Sequence, residues 1–128
     1  MKLKFYWYSE DGRFLPSCEI YDASEKIINC LSGILTDDGA LSRQKKISWL
    51  LEGLKKFESI KGKGGAVFWD RDSWSSEYVG NGIVRISSLY DDNYFIDLPL
   101  EMFINVLRMW IEFNKSESDV NTVLNFEF

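Results

Sequence analysis

Residues 94–113, YFIDLPLEMFINVLRMWIEF, decide the fold of this chain. They begin as the end of a strand, turn at Pro99 and continue as the most apolar helix of the sequence. Proline is tolerated in a first helical turn, and the negative charge of Glu101 suits the positive end of the helix dipole. Apolar residues then recur at three- and four-residue spacing and form one wide face: Leu100, Phe103, Ile104, Leu107, Trp110 and Ile111.

A second apolar face of this helix carries Met102, Val106, Met109 and Phe113. A helix with two apolar faces must be covered on more than one side if both faces are to be shielded from water. We therefore expect a β-sheet against one face and another helix against the second. Phe103, Leu107 and Trp110 should be buried together.

The N-terminal segment predicts a β-hairpin. Residues 2–8 alternate between apolar and polar side chains, as in a half-buried strand. The apolar side of that strand is formed by Leu3, Phe5 and Trp7. A turn at residues 10–13 leads to a candidate second strand over residues 14–21, which Pro16 would confine to a sheet edge or make a non-strand excursion.

Two helices follow the hairpin. Asp22 and Glu25 have the spacing of a capping box, which predicts a first helix running through Ile27, Ile28, Leu31 and Ile34. Residues 36–39 read as a loop. A second helix is expected over residues 41–57, with one apolar face formed by Ile47, Leu50, Leu51, Leu54 and Phe57.

The remaining strands form a meander. Four strand-like runs at residues 66–69, 74–79, 83–89 and 94–98 are joined by turns too short for anything but antiparallel neighbours. The alternating tail, residues 119–128, predicts a final strand. The chain is thus predicted to be one domain, residues 1–128, of the α+β class, with an antiparallel sheet of about five to six strands and helices packed mainly on one face.

Composition narrows the range of functions that the chain could have. The 128 residues are 45% hydrophobic and include no histidine, so no Ser-His or Cys-His nucleophile and no imidazole metal ligand is available. We therefore expect no catalytic residues, no metal and no cofactor. We also expect no signal peptide, because residues 1–14 contain no apolar stretch of the kind that a signal peptide requires, and no apolar run is long enough to cross a bilayer. Cys18 and Cys30, without metal-ligand spacing, are expected to be buried thiols of a cytoplasmic protein.

Charge is unevenly distributed along the chain. The net charge is −5, but residues 41–63 carry seven basic against two acidic residues, whereas residues 64–128 carry four basic against eleven acidic residues. An acidic protein is a poor ligand for nucleic acid, because phosphate neutralisation supplies most of that affinity. We therefore expect a basic protein as the partner, with no direct nucleic-acid or membrane contact and a monomeric state.

Two acidic turns of the meander carry the candidate binding site. Aspartates favour turns because they bond their own backbone, so turn chemistry alone explains much of this pattern. Both turns are nevertheless flanked by aromatic residues, and aromatic anchors beside carboxylates suit a basic protein partner. The candidate partner-binding residues are Asp70, Asp72, Trp74, Glu77, Asp91 and Asp92. An alternative acidic surface in the N-terminal third is formed by Glu10, Asp11, Asp37 and Asp38.

The tryptophans divide into two groups. Trp7 and Trp110 lie on core-facing patterns, whereas Trp49 lies off the apolar face of its helix and Trp74 lies at a turn. We expect Trp49 and Trp74 to be exposed, and an exposed tryptophan is typical of a protein interface.

The segment FWDRDSWSSEY (68–78), continued through residues 94–113, resembles the small immunity proteins of bacterial contact-dependent growth inhibition and other polymorphic toxin systems. The features that carry the resemblance are a strand ending in Ile96-Asp97-Leu98-Pro99 and a helix with the pattern Leu107…Trp110…Phe113. The resemblance covers about half of the chain and implies a cytoplasmic inhibitor that sequesters a cognate toxin domain, often a nuclease. It assigns no individual binding residue, because each immunity protein recognises its own toxin.

Two other functional classes stay open on the sequence. Asp70, Asp72 and Glu77 are the residues that a carboxylate-based hydrolase acting on a glycan or phosphodiester would use. A small adaptor or secretion chaperone would instead use an exposed apolar patch and dimerise.

Overall fold

The protein has an α+β fold, as the sequence predicts. The structure, a computed structural model, describes residues 1–37, 41–116, 118–119 and 121–127. Its strands are β1 (Lys2–Glu10), β2 (Arg13–Tyr21), β3 (Phe68–Asp70), β4 (Trp74–Gly80), β5 (Ile83–Ser88), β6 (Asp91–Pro99) and β7 (Val123–Glu127). Its helices are α1 (Asn29–Thr36), α2 (Arg43–Ser59) and α3 (Leu100–Lys115).

The strands form two antiparallel sheets. One has the order β2-β1-β7 and the other the order β3-β4-β5-β6. The second sheet is the predicted meander. The first combines the N-terminal hairpin with the C-terminal strand, since β1 pairs with β2 along one edge and with β7 along the other. Hydrophobic alternation marks each strand but does not say which strands pair, so this division into two sheets was not predicted.

The β1–β2 hairpin follows its sequence signals. Asp11 and Gly12 both have positive φ, 50° and 76°, which is the conformation that a tight hairpin turn requires. Pro16 lies on β2, opposite Trp7, at the edge of the three-stranded sheet, and this confirms the edge assignment. The inward side chains of β1, Leu3, Phe5 and Trp7, are buried.

Helix α3 forms the centre of the core. Phe103, Leu107 and Trp110 are all fully buried, as expected. β1 covers one side through Phe5, whose ring centroid lies 5.0 Å from that of Trp110. α2 covers another side, where Phe57 meets Phe103 edge-to-face at 5.0 Å. A strand and a helix therefore both cover α3, as expected, but Phe103 and Trp110 both lie on its wide apolar face, so these contacts do not divide sheet and helix between the two faces.

The indole of Trp110 ties three helices together. Its Nε1 donates a hydrogen bond of 3.0 Å to the carbonyl oxygen of Leu35, in the last turn of α1. Carbonyls in a final helical turn have no partner within their own helix, so this bond satisfies a buried acceptor. The ammonium of Lys46, a buried residue on α2, lies 5.6 Å from the centroid of the same indole.

The capping box predicted at Asp22 and Glu25 is wrong. Asp22 Oδ1 accepts hydrogen bonds from the backbone N–H groups of Ser24 and Lys26, at 2.8 and 3.0 Å, and so closes a local turn. Glu25 is exposed with a φ of 62°, outside any helix. Aspartate side chains bond nearby backbone groups as readily in turns as in caps, and here the turn prevails.

Helix α1 therefore begins later than predicted, at Asn29, without a side-chain cap. The preceding residues continue the strand environment of β2, since the Ile28 N–H donates to the Ile20 carbonyl at 2.7 Å. The loop predicted at residues 36–39 falls partly outside the described residues, because α1 ends at Thr36 and residues 38–40 are not described.

The other boundaries shift by a few residues. α2 begins at Arg43, with Ser42 as its N-cap, and Pro99 is the residue immediately before α3 rather than a residue of its first turn. The predicted final strand is β7, shorter than residues 119–128, and Val120 and Phe128 lie outside the described residues. Within the described part of the chain, no helix is both long and apolar enough to cross a membrane.

Substitution of Trp110 tests the centre of the core. Trp110→Ala should lower the free energy of unfolding by about 3–5 kcal/mol, since it removes a large buried side chain. Trp110→Phe keeps most of the volume but leaves the Leu35 carbonyl without its donor, which costs about 1–3 kcal/mol. Chemical denaturation measures both variants, and near-wild-type stability of Trp110→Ala would place the core elsewhere.

Gly53 provides a second test, because a methyl group there would overlap the indole of buried Trp69. Gly→Ala in a helix is ordinarily stabilising by up to about 1 kcal/mol. Gly53→Ala should instead destabilise the protein by about 1–3 kcal/mol through overpacking. Ser48→Ala, at an exposed position of the same helix, is the matched control and should not destabilise. A higher denaturation midpoint for Gly53→Ala would contradict the packing of Trp69 on α2.

Candidate functional site

The two acidic turns of the meander lie side by side at one end of the four-stranded sheet. The Leu89 N–H donates a hydrogen bond of 2.9 Å to the Ser73 carbonyl. The hydroxyl of Tyr90 donates one of 3.3 Å to the Asp72 carbonyl. We call residues 70–73 and 89–92 together the acidic tip. It contains four aspartates and a single basic residue, Arg71.

Asp37 orders one half of the acidic tip. Its Oδ2 accepts hydrogen bonds from the backbone N–H groups of Ser73 and Trp74, at 2.8 and 3.0 Å. Asp37 is the residue that follows α1, so the end of this helix holds the β3–β4 turn in place. Its carboxylate is therefore committed to the turn and is not available to a partner.

The alternative N-terminal acidic surface stays a prediction, because one of its four residues is not described. Glu10 and Asp11 lie at the β1–β2 turn of the other sheet, whereas Asp37 bonds the acidic tip. Asp38 lies outside the described residues.

The four aspartates of the acidic tip have different roles. Asp70 Oδ1 accepts a hydrogen bond of 2.6 Å from the Ser75 hydroxyl, and Asp91 Oδ1 accepts one of 3.0 Å from the Asn93 N–H. These two carboxylates stabilise their own turn and strand, as turn chemistry predicts. Asp72 and Asp92 are exposed, and their carboxylates accept no hydrogen bond from the described residues. They are the charges of the tip that a partner meets first.

Trp74 is not the exposed tryptophan that the sequence predicted. It is half-buried, because it faces the helices from the first position of β4. Its indole occupies the space that a side chain at Gly33 of α1 would need, and its ring lies 5.8 Å from that of Tyr94. The turn position suggested exposure, but the alternation of β4 turns this residue inward along with buried Ser76.

Trp49 is also half-buried rather than exposed. It stacks on buried Trp69 with 4.3 Å between ring centroids. The guanidinium of Arg71 lies 5.3 Å from the Trp49 centroid and covers it further. Neither predicted tryptophan anchor is therefore free to insert into a partner.

The exposed aromatic of the acidic tip is Tyr90, at 81% exposure. Its neighbour Leu89 is also exposed, and these two residues form the β5–β6 turn. Tyr90 is not among the candidate residues predicted from the sequence, although aromatic residues were expected beside both acidic turns. A usable signal was present: a tight turn has no structural need for a large aromatic residue, and polar residues are preferred there.

Glu77 lies apart from the acidic tip, on the face of the sheet that points away from the helices. It pairs across the strands with Phe68 on one side and with Arg85 on the other. Arg85 in turn makes a two-pronged ion pair with Asp97, with Nε–Oδ1 at 2.8 Å and Nη2–Oδ2 at 2.9 Å. The Arg85 hydrogen bonds lower the pKa of Asp97, and the same bonds raise the pKa of Arg85.

The two cysteines belong to the hydrophobic core. Cys18 and Cys30 are buried free thiols, as expected, and burial raises the pKa of Cys18 to about 12. No three side chains among His, Cys, Asp and Glu converge on a point where a metal ion could bind in the described part of the chain. A cleft of about 380 Å³ between β2 and α2 is lined in part by Trp7, Arg13 and Lys46, away from the candidate residues.

Searches with this chain matched no protein-family model, no curated protein and no solved structure. The functional argument therefore depends on the geometry and chemistry of its own residues.

The Arg85–Asp97 pair predicts a pH dependence of stability. The pKa of Asp97 lies below its ordinary value of 3.8 in the folded protein, so its contribution is present at neutral pH. The contribution is lost as the pH falls through the folded-state pKa. Wild type should therefore exceed Asp97→Asn in free energy of unfolding near neutral pH, and the difference should shrink on acidification below that ordinary value. Chemical denaturation at a series of pH values measures this difference. A constant difference across the series would mean that the ion pair contributes nothing.

Proposed function

We propose that this protein is a cytoplasmic inhibitor that binds and neutralises a basic partner protein through the acidic tip. The observation that supports the proposal most strongly is the pairing of two acidic turns around Tyr90, held by bonds between Leu89 and Ser73 and between Tyr90 and Asp72. Together with the resemblance to immunity proteins, it suggests a cognate toxin domain as the partner. The proposed mode of action is binding, without turnover of a substrate.

Charge would bring the two proteins together. Residues 64–128 carry a net charge of −7. Asp72 and Asp92 are exposed at the acidic tip, and their carboxylates accept no hydrogen bond from the described residues. A nuclease toxin holds phosphate groups and is therefore basic around its active site. An acidic surface presented to such a site occupies the place of the phosphates and accelerates encounter by electrostatic attraction.

Tyr90 would supply the anchor in place of Trp74. Tyrosine is enriched at interfaces because it buries a large ring and retains a polar hydroxyl. The bond from its hydroxyl to the Asp72 carbonyl restricts the orientation of the ring before a partner arrives. An anchor that is ordered in the free protein loses little conformational entropy on binding.

The same argument applies to the turns that carry the charges. Asp37 ties the β3–β4 turn to the end of α1, and Leu89 ties the β5–β6 turn to Ser73. The carboxylates of Asp72 and Asp92 are thereby attached to backbone that is already in place. This preorganisation favours tight binding by a surface of modest size.

Charge reversal at the acidic tip tests the proposal. The double variant Asp72→Lys/Asp92→Lys changes two exposed carboxylates that accept no hydrogen bond in the described residues, so folding should be unaffected. Binding to the protein encoded by the adjacent gene, measured by surface plasmon resonance, should show association at least about tenfold slower at low salt. The difference from wild type should diminish as salt is raised, because mobile ions screen exposed charges.

The matched control is Glu112→Lys/Glu127→Lys, which makes the same change in net charge at exposed positions of α3 and β7. It should leave association within about twofold of wild type, since steering depends on where charges lie as well as on their sum. Equal effects of the two double variants would show that only net charge matters. Unchanged binding of the tip variant would exclude the acidic tip as the contact.

A further inference from the structure

The four-stranded sheet has an uncovered face beside the acidic tip. The helices pack against its other face, where Val84 and Ile86 are fully buried. An antiparallel sheet with one solvated face ordinarily carries polar side chains there. This face instead exposes two phenylalanines, Phe68 on β3 and Phe95 on β6, which are 58% and 45% exposed to solvent.

Small side chains lie in the cross-strand row that ends at Phe95. Ser75 and Ser87 are opposite each other on the two central strands, with Asp70 beside Ser75 and Phe95 beside Ser87, while Phe68 lies in the neighbouring row beside Glu77. Because both serines are small, we expect a shallow depression between Asp70 and Phe95, next to the acidic tip. A shallow, open surface of this kind suits a protein partner better than a small molecule, which needs an enclosing pocket.

The far end of the depression is closed by charged side chains in fixed positions. Arg85 is held by its two bonds to Asp97, and its guanidinium lies 4.3 Å from the ring centroid of Phe95. Glu77 follows on the other side of Arg85. Outside the acidic tip, which includes Asp70, this face carries Glu77 and Asp97 against Arg85, so its charge has the same sign as that of the acidic tip.

We propose that this sheet face is the apolar half of the interface with the basic partner protein. The inference rests on the proposed function and adds a contact that the acidic tip does not supply. A partner segment with apolar residues meets Phe68 and Phe95, while its basic side chains lie over the serines and reach Asp70 and Glu77. The acidic tip then governs the rate of association, and the sheet face governs the rate of dissociation.

Removing the two phenylalanine rings tests whether the sheet face governs dissociation while the acidic tip governs association. Phe68→Ser/Phe95→Ser should raise the dissociation rate from the adjacent-gene protein at least about tenfold, with the association rate and its salt dependence nearly unchanged. Phe14→Ser is the matched control, because Phe14 is a phenylalanine of similar exposure, 48%, on the three-stranded sheet. The control should stay within about twofold of wild type.

A second variant blocks the depression without removing any packing. Ser87→Tyr places a large ring at an outward strand position that tolerates aromatic residues. It should weaken binding to a similar degree while far-UV circular dichroism and the unfolding midpoint stay as in wild type. This variant keeps the test valid even where Phe95→Ser disturbs the Arg85–Asp97 pair.

The outcomes separate this inference from the proposed function. The inference alone is overturned if Asp72→Lys/Asp92→Lys associates more slowly than wild type while both sheet-face variants dissociate at the wild-type rate. Failure of the wild-type protein to bind the adjacent-gene protein overturns both. If sedimentation shows that wild type self-associates, and the sheet-face variants abolish self-association without changing partner affinity, the face belongs to a second copy of this chain and the inference fails.

Discussion

The hydrogen bond from Trp110 Nε1 to the Leu35 carbonyl is the contact on which the rest of the structure depends. It joins the central helix α3 to the last turn of α1, at a site where neither group can reach water. The position of α1 then determines two features of the candidate site. Gly33 of this helix receives the ring of Trp74, and Asp37 at its end bonds the β3–β4 turn. A core contact thus positions the acidic tip, because a short helix fixed at its C-terminal end carries Asp37 with it.

Charge is unevenly distributed over the structure. The basic residues between positions 41 and 63 lie mostly exposed on α2 and the turn after it, while Lys46 points inward over the Trp110 indole. Six of the 20 acidic residues lie on the four-stranded sheet or in its turns, and four of these six form the acidic tip. This local concentration of like charge costs some self-repulsion but would help to orient the molecule in the field of a charged partner.

Exposed aromatic residues on the four-stranded sheet are also consistent with the proposed partner-binding surface. Tyr90 at the acidic tip and Phe68 and Phe95 on the open face all leave large apolar area in water. A contiguous exposed patch is an aggregation liability unless a partner covers it. Under the proposed function, the surrounding carboxylates would disfavour partners of the wrong charge. Trp49 and Trp74, which the sequence predicted to be exposed, pack against the fold instead.

Local sequence determined the elements whose signals are complete within a few residues. The apolar face of α3 follows from spacing alone, and the β1–β2 and β4–β5 turns follow from Asp11-Gly12 and Asn81-Gly82, where positive φ is required. Tertiary structure decided what local signals leave open. Asp22 suits a helix cap and a turn equally well, and the pairing of β2 with the following segment selected the turn. The pairing of β1 with β7 and the meeting of Asp37 with the β3–β4 turn join residues far apart in the chain. No local pattern encodes such contacts, because their free energy arises only once the core has brought both partners into place.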